Sequence, residues 1–497
     1  MERMYTRLLR LGVMALFFGA VVFVGCSDDE PTKPDPDPVD PGDTTTIDAR
    51  KRPVVFVHGA MEAADMFTQL TQLMLRNGYT EAQINAEDFE LFMNESGEAD
   101  VDKMATAVKS RVDALTASSG EARVDIVAHG AGAKAVQKYL ATLGGTAKVA
   151  RVAYAGPAFD LSITVNGDPT PPPCKYLTLR SNGKDALQLG DANYGSLTGA
   201  QNEQLADHDN RQLASSAEAF GKIFAFFTGA APVVTKLPAT KPGQPYVLRG
   251  RVIDFIDNTG IAGATVVSIK IRKNTDGTYQ RITGGPSATS DANGYFELTD
   301  NVSPDSHIEL LVRTASPSHY DMHIYRQPWR DNSLTERLRL VPRTGGSTML
   351  TAFSAALRTG THANAIVYSQ NHVLHHGRDN LLAKRFNPAG ESIGDVQLLT
   401  VANAPAAGGA GTGMNTFFLC LLDYDMNRQD GSGPVASPAL NMFGINSFDV
   451  LLDATATNFQ TTYVLNNLEL ATFNYRSNGG FGSNNAGFNL IQYEYVP

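Results

Sequence analysis

Val124-Asp125-Ile126-Val127-Ala128-His129-Gly130-Ala131-Gly132 runs from an apolar, β-branched strand into a glycine-rich turn. Ala133 to Leu143 follows with apolar residues near helical spacing, so the stretch reads as strand, tight turn, helix. Upstream, Pro53-Val54-Val55-Phe56-Val57 is a second buried strand that ends in His58-Gly59. Helical spacing recurs over Ala63 to Arg76, Val101 to Leu115 and Leu213 to Phe227, with strands at Val149 to Ala155 and Tyr176 to Leu179. Strands alternating with helices predict a mostly parallel sheet with helices on both faces, over residues 51–231.

Outward from this segment the character changes. Residues 232–245 form a Pro-, Lys- and Thr-rich linker. Residues 246–342 and 345–497 read as two all-β, sandwich-like domains of short alternating strands with Gly and Asn turns. At the other end, Arg3, Arg7 and Arg10 precede the uncharged stretch Leu11 to Gly25. That stretch falls short of the roughly 20 residues of a spanning helix and reads as a signal peptide over residues 1–25. Residues 26–50, acidic and proline-rich, cannot build a core and read as an extended tether.

Composition narrows the function. The chain has 497 residues, with 41 Lys and Arg against 51 Asp and Glu, a net charge of −10 that argues against nucleic acid as a partner. Three cysteines are too few for a disulfide scaffold or a cysteine-based zinc module. Neither a metal nor a cofactor is expected. His372, His375 and His376 lack a helix to converge them, and Asp423 to Gly431 lacks the closing Glu of a calcium loop. Tyr320, His323, Tyr325 and Trp329 read as packing residues ahead of an aromatic binding patch.

Three resemblances add to this reading. Phe23-Val24-Gly25-Cys26 resembles a bacterial lipobox, with Phe23 where Leu is usual, which implies a diacylglycerol on Cys26 and a protein lipid-anchored in the bacterial envelope, at the outer membrane or cell surface. Residues 246–342 resemble carboxypeptidase-regulatory-like domains through Gly250-Arg251-Val252, Gly263-Ala264-Thr265-Val266 and Asp291-Ala292-Asn293-Gly294-Tyr295-Phe296, which implies a spacer or docking module. Residues 51–231 resemble the lipase and esterase branch of the α/β-hydrolases.

The hydrolase resemblance implies a site. Val54 to Gly59 matches the segment whose following backbone, here Ala60 or Met61, supplies an oxyanion N–H; Ala131, after the nucleophile, supplies the other. The nucleophile elbow of that family is Gly-x-Ser-x-Gly. Here Ala128 stands at the first Gly, Gly132 at the last, and Gly130 where the serine should be. His208 in Ala206-Asp207-His208-Asp209 matches the base, and Asp185 in Ser181-Asn182-Gly183-Lys184-Asp185 the acid, with Asp191 as the fallback. Glycine carries no oxygen nucleophile. The expectation is therefore an ester hydrolase by ancestry, catalytically impaired, that keeps a cleft for an acyl-ester or polyester-like ligand. An active esterase using His208, Asp185 and water, or an unrecognised nucleophile, is the alternative; a surface adhesion protein is the third.

Overall fold

The computed structural model describes residues 51–59, 62–89, 100–159, 174–181, 197–206, 208–255, 257–275, 279–304, 306–314, 318–343, 364–375, 378–387, 389–399, 415–416, 418–422, 433–434, 445–449, 460–474 and 488–495. Cys26, Ala60, Met61, Asp185, Asp191 and the Asp423 to Gly431 stretch lie outside them.

Six parallel strands form the first sheet: β1 (Val54–Val57), β2 (Ile84–Asn85), β3 (Val124–Gly130), β4 (Val149–Pro157), β5 (Lys175–Ser181) and β6 (Gln201–Leu205), in the order β2-β1-β3-β4-β5-β6. β1, β3 and β4 are buried along their whole length, as near-continuous apolar runs require when both faces are covered. Helices α1 (Thr68–Arg76) and α4 (Ala217–Thr228) fill one face with Leu70, Leu73, Phe220 and Phe224. Helices α2 (Val101–Ser119) and α3 (Gly132–Thr142) fill the other with Val108, Val112, Val136 and Tyr139. Asp100 caps α2 and Ser216 caps α4, each accepting a backbone N–H. This is the α/β-hydrolase arrangement expected. Two edge strands escape the pattern reading: β2 has two residues, and β6, Gln201-Asn202-Glu203-Gln204-Leu205, is polar because only Leu205 is buried.

The remaining chain is all β: β7 (Gln244–Asp254), β8 (Thr265–Lys273), β9 (Tyr279–Ile282), β10 (Ser287–Thr289), β11 (Tyr295–Val302), β12 (Ser306–Arg313), β13 (Met322–Arg326), β14 (Ser333–Leu340), β15 (Asn364–Ser369), β16 (Leu374–His375), β17 (Leu381–Phe386), β18 (Ser392–Leu399), β19 (Asn415–Thr416), β20 (Phe418–Leu422), β21 (Gly433–Pro434), β22 (Ile445–Asp449), β23 (Gln460–Leu465), β24 (Leu468–Asn474) and β25 (Phe488–Tyr493). A three-stranded sheet β11-β7-β14 faces a ten-stranded sheet that contains β12-β13-β25-β15, and a four-stranded sheet β18-β17-β23-β24 lies beyond. The expected division at 342–345 is crossed by the large sheet. Leu490 of β25 pairs with Ile324 of β13 on one side and with Ile366 of β15 on the other. One apolar core joins Leu248, Val252 and Ile308 to Ile366, Tyr368 and Leu490.

The β region also docks on the hydrolase sheet through buried charge. Arg339 of β14 grips Asp65 with two bonds of 2.7 and 2.9 Å, and Arg337 grips Asp88 at 2.7 Å. The stretch between the two regions is pinned too: Asn77 donates to the Val234 carbonyl at 2.7 Å and accepts from the Val233 and Val234 N–H groups, and Leu237 is buried in the hydrolase core.

Candidate active site

The site is built at the carboxyl ends of β1 and β3, where both strands run into glycine. A Cβ on Gly132 would lie 2.6 and 2.7 Å from the carbonyls of His58 and Val57, so only glycine lets α3 start hard against β1. Gly130 has φ +51°, the left-handed conformation at which other residues are strained. The two motifs therefore meet as the sequence suggests. Among the described residues other than its chain neighbours His129 and Ala131, the one heavy atom within 4 Å of a Cβ built on Gly130 is Gly59 Cα, at 3.8 Å. Among the described residues beyond the chain neighbours, no side-chain atom lies within 4 Å of that position. Ala131 precedes α3 as its cap residue, so the oxyanion donor expected there is backbone and independent of residue 130's side chain.

Beneath the turn lies an ion pair. His129 Nδ1 donates to Glu62 Oε2 at 2.8 Å, and Nε2 donates to the Asn210 carbonyl at 3.0 Å. Glu62 Oε2 also accepts the Gly59 N–H at 2.7 Å. Burial alone would raise the Glu62 pKa, yet His129 and the Gly59 N–H hold it at about 2. Burial alone would lower that of His129, and Glu62 overrides it upward. With an acceptor on each nitrogen, His129 is a buried imidazolium that holds the turn from below; it has no lone pair for base or nucleophile work. His58 is spoken for as well: Nδ1 donates to the Gly59 carbonyl and Nε2 accepts the Phe89 N–H, both at 2.8 Å, with burial lowering its pKa.

His208 sits on the loop between β6 and α4. Nδ1 donates to the Ala206 carbonyl at 2.8 Å, Nε2 is 3.9 Å from the Glu218 carboxylate, and the His208 carbonyl accepts from Ser181 at the end of β5. None of its atoms lies within 4 Å of the Gly130 Cβ position. The described residues thus bring Gly130, Ala131 and the His58-Gly59 turn together, and set His208 on a neighbouring loop beside Glu218.

That loop belongs to the β region as much as to the hydrolase sheet. Asp209 accepts the Val373 N–H at 3.1 Å and pairs with Arg378. Arg211, fully buried, donates to the Ser369 and Gln370 carbonyls at 2.7 and 3.1 Å and lies over the Tyr368 ring. Asn258, in a left-handed turn after β7, donates to the Glu62 and Phe89 carbonyls at 2.7 and 3.2 Å. The module read as a spacer or docking module touches the site's support through Asn258, and the last β region does so through Ser369, Gln370, Val373 and Arg378. Glu62, Asn210 and Arg211 were not singled out from sequence. The signal available was the polar run Asp207 to Gln212, too charged for an ordinary edge-strand exit.

Three residues behind the weaker sequence signals, His372, Tyr325 and Trp329, are buried. His372 is wholly buried, stacked 4.3 Å from Tyr495 and close to Asp379, a core histidine. Among the described residues, no cluster of three or more His, Cys, Asp or Glu is placed to hold a metal, and no helix is long and apolar enough to cross a membrane.

Sheet order, glycine elbow and adjoining β1 turn give this region an α/β-hydrolase-like arrangement. Residues 51–165 match the family Lipase (class 2). No curated protein matches the chain. Solved structures similar to it include the mature form of Bacillus licheniformis lipase BlEst2 (15% identity over 37% of this chain and 95% of that one, TM-score 0.29). The propeptide form of the same lipase is also similar (13% identity, 85% of this chain, 96% of that one, TM-score 0.30). A predicted CIB-like hydrolase of Thermoplasma acidophilum matches at 16% identity over 37% of this chain and 88% of that one, with a TM-score of 0.27.

Proposed function

We propose that this protein is an ester hydrolase by ancestry whose covalent chemistry is lost, and that it retains the elbow region as a binding cleft for an acyl-ester or polyester-like ligand. One observation carries the reading: glycine occupies the tip of the elbow, in the left-handed conformation, and among the described residues no side chain beyond its two chain neighbours comes within 4 Å of its Cβ position. A serine hydrolase without its nucleophile keeps only what its oxyanion donors and binding contribute, about 10³–10⁴-fold over water. Turnover of a short p-nitrophenyl ester by the full chain tests this. Turnover no more than about 10³–10⁴-fold above the uncatalysed reaction is expected; rates typical of an esterase, on the order of 10 s⁻¹, would overturn it.

A second reading is favoured by one feature of His208. With Nδ1–H committed to the Ala206 carbonyl, neutral His208 keeps an acceptor at Nε2 and can take a proton from water. Slow water attack, lost in His208→Ala, is its signature; Asp185 or Asp191 would then be the orienting acid. We propose further that Cys26 carries a lipid that holds the protein at the outer membrane or cell surface. This rests on the lipobox-like run and the acidic tether after it.

A further inference from the structure

A cleft of about 470 Å³ opens between the hydrolase region and the three-stranded sheet, away from the elbow residues, lined by the segment around β2 and by β7, β11 and β14. That is within the size range of small-ligand sites, which favour junctions between folded regions. We propose that this cleft binds a neutral, hydroxyl-rich ligand, one or two units of a saccharide.

The walls carry the chemistry. Arg249 is held between two carboxylates, Glu297 at 2.7 Å on its own sheet and Glu81 across the cleft. Together they present planar donors and acceptors at the cleft. Sugar hydroxyls, each donor and acceptor at once, match such an array. Asn85 lines the same cleft. Glu87 adds a further carboxylate at the rim. Three glutamates against Arg249 and Arg337, the latter already neutralised by Asp88, leave the walls acidic and repel anionic ligands. Tyr295 keeps 37% of its surface exposed at the cleft, an aromatic body with a polar tip suited to the apolar face of a pyranose ring.

Calorimetric titration of the full chain with neutral probes tests this: a trimer of β-1,4-linked N-acetylglucosamine, an α-1,4-glucan hexamer and an α-mannotriose, with spermidine as the cationic control. Saturable binding of at least one saccharide is expected, on the order of 0.1–1 mM, weakened about tenfold by Tyr295→Ala and several-fold by Glu87→Gln. Thermal melts of both variants verify the fold. No saturation by any saccharide, saccharide binding that both folded variants leave unchanged, or spermidine binding in their place would overturn the proposal. None of these readouts depends on ester turnover, so the outcome is separate from that of the elbow.

Discussion

Arg339 and Asp65 meet in a buried two-bond ion pair between a β strand of the C-terminal region and the turn that leads into α1, 274 residues away in sequence. Such a pair is hard to break from one side, because the partner left behind is a bare charge in a low-dielectric interior. Arg339→Ala is expected to destabilise the protein by about 3–5 kcal/mol, and Arg339→Met with Asp65→Leu to recover most of that loss. Chemical denaturation of the parent and the two variants reads this directly.

The same contacts bear on dissection. A fragment ending near Ala231 would expose Asp65, Asp88, Arg211 and the Leu237 pocket without their partners. It should be insoluble or molten. Proteolysis near Val233, which is 94% exposed, should nick the chain yet leave both halves associated on a sizing column. A stable, cooperatively melting 51–231 fragment would show that the two regions fold independently.

Acid should act through Glu62 and Asp88. Both carboxylates are held at about 2 in the fold, below ordinary values of 4.5 and 3.8: Glu62 chiefly by His129 and Asp88 chiefly by Arg337, each against the opposing effect of burial. A depressed carboxylate pKa contributes stability that is complete above the unfolded value and lost as pH falls toward the folded one. The melting temperature should therefore drop between about pH 4.5 and 2. Glu62→Gln should be less stable at neutral pH by about 3–5 kcal/mol, since it strands the His129 imidazolium, and should show a shallower acid limb.

The elbow was legible in the sequence because its parts are local. Val124 to Gly132 carries a strand, a glycine turn and a helix start in nine residues, and the Val54 to Gly59 run supplies the strand beside it. The support of the site was not legible, because it is long-range. Nothing near Glu62 in sequence announces His129 or Asn258, and nothing near Arg211 announces the carbonyls of Ser369 and Gln370. Polar residues such as Asp65 and Arg337 look like surface until a second sheet covers them. Likewise, Leu490 shows no periodicity that reveals its pairing with both β13 and β15.

Anchoring is a separate test. Metabolic palmitate labelling should tag the mature protein, and Cys26→Ala should abolish the label. Labelling that persists in Cys26→Ala would end the lipoprotein reading.

The most direct measurement is ester turnover by Gly130→Ser. A serine Cβ fits, since its nearest described neighbour beyond the adjoining His129 and Ala131 is Gly59 Cα at 3.8 Å. Its backbone must hold φ near +51° at a cost of roughly 1–3 kcal/mol, so partial recovery is expected. Loss of a nucleophile costs a comparable hydrolase about 10⁶ in kcat, or roughly 8 kcal/mol, so regaining even a tenth of that logarithm is measurable. The parent should hydrolyse a short acyl ester negligibly and take no fluorophosphonate label; Gly130→Ser should gain both, with the label mapped to residue 130, and His208→Ala should remove the gain. A parent that is already labelled, or that turns the ester over as fast as Gly130→Ser, would contradict the account.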